Sequence, residues 1–545
     1  MGAYTRRAAQ WGSANYTRLY AGAALLVLCG SALEWSLAAA RAQQPNADQL
    51  VGGYLFENGR TFMGADFPAP HTQLIKWPLF ALLRLFGFSA GAYAVCTVLV
   101  VMATLGALVY LLYRLDRRPL AWGTWCLALG SVLAVVPVWA LGHGVTTPLG
   151  WGMLTGRNLE YVAYFAALAL LARAQKAGGK QLLGVAGLLA VLTASDALFV
   201  RLAIGGAALL LVAAWTAEQR ALQKLAARWL LGALFGWMGG TVLLALVARM
   251  THLVPDPLAY GWIRHSDLLL PAATGTARAM GLNLGLTVQA GALVAPAVIV
   301  NAVVAVGMAG AAFRLLGTLR FRDADAPLSK AAALAWMALA TSAAAVIGYI
   351  ALNQPHVADA RYLGVVLFSG FIVAAAAGRS IRLLQRTMPV LGAVLAVAVL
   401  LAASASAAYT QRNTDASLPQ QRNRRIAQAL AAHHVTFLAG DYWRVFPVRL
   451  LSGARQQAVV PLVGCWAPSP VLNSAAWRPD LRVHSFAYLL QLQGGGASRC
   501  PEADVTRLFG SPSSSELIAG TRRHPQEMLL FYDHGAAARR PMPAR

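Results

Sequence analysis

One polar stretch between Asn46 and Pro78 carries Asp48, Glu57, Asp66, His71 and Lys76. A carboxylate there can act as a general base, and nearby cations can hold a charged group. Apolar segments long enough to cross a bilayer flank the stretch on both sides, so the chemistry these residues suit is chemistry on a phosphate-bearing lipid. Other ionisable residues stand near the ends of apolar segments: Arg157 with Asn158 and Glu160; Asp196 with Arg201; Arg264 and His265 with Asp267; and Arg361 with Tyr362 in HVADARYLG. Charges at a membrane are costly, which makes each a functional candidate. Glu34 stands inside the first apolar segment and belongs with them.

The elements that must position these residues are membrane helices. Apolar residues make up 58% of the 545-residue chain and charged residues 12%, against about 45 to 50% and about 25% in soluble domains. Eleven segments read as spans, near 19–40, 91–113, 119–141, 157–173, 181–196, 198–216, 229–250, 284–313, 331–353, 362–378 and 388–408. Basic clusters recur between them, at Arg6, Arg7 and Arg18, then around Arg114, Arg173, Arg220, Arg314 and Arg379. Placing all of these in the cytoplasm requires an even number of crossings between successive clusters. That parity makes 157–173 a crossing and 181–216 a hairpin broken at Ser195 and Asp196. It sets the N-terminus inside and residues 409–545 outside, and it leaves 41–90 as an external loop in a helical domain, 1–408. The first helix is read as retained rather than cleaved, because its apolar run is long enough to span.

The net charge of +24 lies largely in short loops at membrane edges, where topology and anionic headgroups account for it, so no nucleic-acid partner is expected. There is no Walker motif, no paired metalloprotease histidines and no Cys-x-x-Cys. Cys29, Cys96 and Cys126 fall in spans, whereas Cys465 and Cys500 fall in the external region, where a disulfide between them is expected. That region reads as a small α/β domain, with a helix at RRIAQALAAHH, strands at VTFLAG, QAVVPLVG and EMLLFYD, and a disordered tail from about 535. Within it, GDYWRVFPVRLL either binds a glycan or phosphate or is a strand and helix packing their aromatics in a core.

An acid in the first external loop after helix 1, an amphipathic segment after it (His71 to Phe88), about ten further helices and an external C-terminal domain together resemble the GT-C superfamily of polytopic membrane glycosyltransferases. The likeness covers 1–408 as architecture. It implies an all-α polytopic fold of about eleven transmembrane helices with an α/β extracytoplasmic domain. It also implies an inverting glycosyltransferase that moves a sugar from a polyprenyl-phosphate carrier to an acceptor (glycan, lipid or protein) on the external face of a bacterial inner membrane. By the same resemblance Asp48 is the catalytic base, and Arg361 with Tyr362 matches an arginine-tyrosine pair at the corresponding place in many members. His71, Lys76, Arg157, Arg264 and His265 are the further substrate-binding candidates. No metal ligand is assigned; the family's paired acids stand here as Asp48 followed by Gln49, and a divalent metal is the one cofactor the resemblance allows. A transporter or lipid flippase, and a non-enzymatic membrane assembly or sensor protein, are the alternatives from other classes.

Overall fold

Lipid offers the backbone no hydrogen-bond partner, so an apolar run of bilayer length satisfies its own amides as a helix. The computed structural model describes residues 2–43, 67–69, 72–86, 89–142, 149–173, 179–251, 253–255, 262–286, 295–321, 326–352, 357–377, 417–435, 437–451, 458–463, 465, 467–468, 485–492, 500–518 and 526–533. Among these, seven helices are long and apolar enough to cross a membrane, and a chain with seven such helices is a multi-pass membrane protein. They lie in α1 (Gly2–Gln43), α3 (Ala90–Leu115), α4 (Pro119–Gly142), α7 (Leu198–Thr216), α8 (Arg220–Thr251), α10 (Ala295–Phe321) and α11 (Lys330–Ala351). Shorter helices are α2 (Trp77–Leu85), α5 (Asn158–Arg173), α6 (Gly179–Ser195), α9 (Leu269–Asn283) and α12 (Gly364–Ala377).

Two expectations are corrected. Residues 251–283, read as a loop, contain β2 (Leu253–Pro255) and the helix α9, whose Pro271 and two glycines disguised it. The segment expected at 284–313 is the helix 295–321, and residues 284–286 instead close α9, with Gly285 in a left-handed conformation at φ +67°. Segment 388–408, His71 and the tail from 535 lie outside the described residues.

The chain forms two compact units. One comprises residues 1–39, 97–244 and 259–414; the other gathers 40–96, 245–258 and 415–545. In the first, small residues let helices approach closely. Gly232, Gly236 and Gly240 of α8 face α6; a methyl on Gly236 would stand 2.5 Å from Leu189 Cβ, and one on Gly240 would collide with Thr193. A methyl on Gly123 of α4 would stand 3.1 Å from Ala21 Cα of α1, where Tyr20 and Thr124 share a hydroxyl hydrogen bond of 3.1 Å. Tyr164 of α5 and Thr341 of α11 do the same at 2.9 Å. The other side of α8 stays apolar and exposed, at Phe235, Trp237, Val242 and Leu246, as a lipid-facing surface does.

In the second unit, β1 (Phe67–Ala69) pairs in parallel with β2, joining the end of the first polar loop to the chain just beyond α8. A six-stranded sheet occupies the terminal region, in the order β5-β4-β3-β6-β8-β7: β3 (Phe437–Asp441), β4 (Ala458–Val463), β5 (Ala467–Pro468), β6 (Phe486–Gln491), β7 (Ser514–Ile518) and β8 (Glu527–Tyr532). β3 runs parallel to both β4 and β6, and the remaining pairings are antiparallel. One sheet face packs on α13 (Ser417–Ala432) and α14 (Tyr442–Leu451) through Ile426, Leu430, Val445 and Val448. The other packs on α15 (Glu502–Phe509) through Val505 and Phe509. The segment GDYWRVFPVRLL is the end of β3 and α14, with Val445, Phe446 and Val448 in the core. A disulfide joins Cys465 to Cys500, and the Tyr488 hydroxyl donates to the Cys465 carbonyl at 3.2 Å. A cross-link over 35 residues stabilises by about 4 kcal/mol in a chain-entropy account.

Candidate functional site

The start of α5 is fixed by an unusual turn. Residues 150–156 are buried throughout and non-helical, and such backbone must satisfy itself inside the protein. Asn158 does much of this: its Nδ2 donates to the carbonyls of Trp151 (3.1 Å) and Met153 (2.8 Å). Gly156 lies so close to the Gly150 carbonyl that a side chain would collide with it. Trp151 stacks on Trp35 near the end of α1, with ring centroids 5.1 Å apart, and a methyl on Gly152 would stand 2.5 Å from the Trp35 indole nitrogen. The turn delivers Arg157 to one end of the helical unit.

Asp196 arrives there from the break between α6 and α7. Its Oδ1 accepts from the Leu198 amide at 3.0 Å, capping the start of α7, and its Oδ2 accepts from Arg157 Nε at 2.5 Å. Both carboxylate oxygens are engaged, so Asp196 positions Arg157 rather than serving as a base. The third contribution is a 3-10 turn, Val357–Leu363, which precedes α12. Asn283, the last residue of α9, donates to the Ala360 carbonyl at 2.6 Å, and the Tyr161 hydroxyl donates to the Arg361 carbonyl at 3.5 Å. The pinned turn brings Tyr362 close to two guanidiniums: Arg157 lies 4.8 Å from its ring centroid and Arg361 5.2 Å. Arg361 Nη2 also donates to the Tyr362 hydroxyl at 3.4 Å.

Much of the donor capacity of this pair remains. Arg157 uses only Nε in hydrogen bonding to the described residues, and Arg361 Nε is buried with no hydrogen-bond partner among them. Two guanidiniums that share one aromatic ring, with several N–H groups available, suit an oxyanion. Glu160, 1% exposed one turn into α5, receives a 3.5 Å hydrogen bond from Ser195.

The structure thus brings Arg157, Asp196, Arg361 and Tyr362 together, although up to some 200 residues separate them in the chain. Arg264 and His265 stand exposed before α9, and nothing among the described residues joins their side chains to this group. Lys76, in the 3-10 turn Leu74–Lys76 that leads into α2, is 1% exposed, so its ammonium does not reach out to solvent or headgroups as a snorkelling lysine's would. Asp48 lies outside the described residues. Among the described residues no three His, Cys, Asp or Glu gather as metal ligands, and Asp196 is already committed to Arg157, so no step is derived through a metal. Sequence reasoning missed Asn283, whose position at the end of an unrecognised helix gave no signal. No family model matches the chain, and no curated protein does.

Proposed function

We propose that the chain is a GT-C-like integral membrane glycosyltransferase. It would take a sugar from a polyprenyl-phosphate carrier and pass it, with inversion, to an acceptor on the outer face of a bacterial inner membrane. The observation that carries this reading is the group of Arg157 and Arg361 around the Tyr362 ring with its spare donors, placed where the starts of α5, α7 and α12 meet. In the proposed topology of eleven spans, with the N-terminus in the cytoplasm, all three starts face outward, on the same side as Asp48. The guanidiniums would hold the carrier phosphate and stabilise the charge it gains as the glycosidic bond breaks, and Asp48 would take the acceptor's proton.

The test is an assay in membranes that titrates lipid-linked donor. Asp48→Asn keeps the side chain's size and removes the base, and turnover should fall on the order of 100-fold to 10,000-fold with donor binding intact. Arg361→Ala removes a charge-assisted contact worth about 1.5 to 3 kcal/mol, so the donor concentration needed for half-maximal rate should rise on the order of tenfold to a hundredfold. Wild-type transfer by folded Asp48→Asn protein would reject Asp48 as the base, whereas absence of any transfer by the wild-type protein would move a transporter or flippase ahead.

A further inference from the structure

The terminal domain gathers a separate set of polar side chains at one edge of its sheet. β3 lies between its two parallel neighbours, with β4 on one side and β6 on the other. The chain leaves β3 through α14 to form β4, then returns past β3 to form β6. The helix that follows β3, α14, packs on one face of the sheet, and the next described helix after β6, α15, packs on the other. In open α/β sheets such a switch point is where ligands bind, because the parting connections leave a crevice there.

The residues at this edge suit that use. β3 ends in Asp441, which is exposed, and β6 ends in Gln491. Arg444, in the first turn of α14, spans the two strand ends, donating from Nη2 to Gln491 Oε1 at 3.1 Å. Behind it lies Glu527, 2% exposed and paired in register with Gln491. Arg422 grips both oxygens of Glu527, at 2.5 and 2.6 Å, leaving Arg444 Nη1 a contact of 3.5 Å. One buried carboxylate thus serves two guanidiniums, and Arg444, its side chain 30% exposed, has the weaker share and the open side. Burial holds the Arg444 guanidinium below its ordinary pKa, and the like charge of Arg422 adds to that effect against the pull of Glu527 and of Asp441. An anion arriving at this edge would relieve that.

We propose that the β3/β6 edge is a second binding site, for a small anionic sugar whose phosphate or carboxylate pairs with Arg444 while its hydroxyls donate to Asp441. Gln491 holds the guanidinium in place. The site is independent of the helical one, and the terminal domain has ligand recognition of its own.

The experiment is calorimetry on the full-length protein in detergent with glucose 6-phosphate, glucuronate and uncharged glucose. At least one of the charged sugars should bind ten times or more tighter than glucose, and which one does so tells phosphate from carboxylate. Arg444→Gln should weaken that binding tenfold or more. Gln491→Glu keeps an acceptor for Arg444, and so the local fold, while placing a negative charge where the ligand's would lie; it should weaken binding equally with an unchanged melting temperature. Arg361→Ala should leave it unaltered. The proposal fails if neither charged sugar outbinds glucose, if Gln491→Glu binds as the wild type does, or if Arg361→Ala is the substitution that abolishes binding. Each of these results is distinct from any loss or retention of sugar transfer.

Discussion

Asp196 shows how an acid that looks like a functional candidate from the chain alone can be spent on position. Its two oxygens hold the start of α7 and the Arg157 guanidinium, and that guanidinium in turn faces Tyr362. Tyr532 in the terminal sheet is a titratable group of the opposite kind. It is 1% exposed, its hydroxyl has no hydrogen-bond partner among the described residues, and burial, with Glu502 adding, pushes its pKa up to about 12. The unfolded chain would release this proton near pH 10. Between about pH 10 and 12 the unfolded state is deprotonated while the folded state keeps its proton, so stability falls as pH rises through that window. Tyr532→Phe should remove on the order of 2 kcal/mol of this alkaline loss while leaving stability at pH 7 unchanged or slightly higher, since no hydrogen bond is given up. Melting curves of the two proteins at pH 7 and pH 11 check it; a variant that melts lower at pH 7 would reveal a partner for the hydroxyl.

Among the elements, the helices were the most legible from sequence. The hairpin at Ser195 and Asp196 could be read because two polar residues interrupt an otherwise unbroken apolar run and parity demands a return there. The helix α9 could not, because LLPAATGTARAMGLN mixes proline, glycine and threonine with few large apolar residues, and its packing against Tyr349, Ala360 and Leu363 is what supports it. β6 was missed for a different reason: FAYLLQ is covered on both faces, so it lacks the alternation that marks a half-buried strand. The site was legible residue by residue, in Arg157 and in the Arg361–Tyr362 pair, but their meeting depends on three long-range helix contacts that no single sequence encodes locally. The glycine face of α8 leads to a prediction at this scale. Gly236→Leu would force α6 and α8 apart, and crowding of this kind costs about 1 to 3 kcal/mol or more. The detergent-solubilised variant should melt several degrees below the wild type, whereas Gly187→Leu, at a position where a Cβ would meet open space, should not.

For the whole molecule, the arrangement of ends makes a checkable statement about sides. The starts of α5, α7 and α12 converge on one group of residues, which a chain crossing the membrane between them can do only if their numbers of crossings agree. With the basic clusters placed in the cytoplasm that shared side is the outer one, so alkaline phosphatase fused after Tyr409 should be active and a fusion after Lys180 inactive; the reverse pattern would invert the orientation and with it the proposed donor side. The parallel pairing of Phe67–Ala69 with Leu253–Pro255 has a consequence in time as well. Roughly 190 residues must be made between the two strands, which at about 5 to 20 residues per second takes on the order of 10 to 40 s. During that interval the first strand has left the ribosome without its partner, while several helices enter the membrane behind it. The strand Phe67–Ala69 is thus made early in synthesis and fastened late, and a nascent chain halted before residue 253 should leave that strand open to protease.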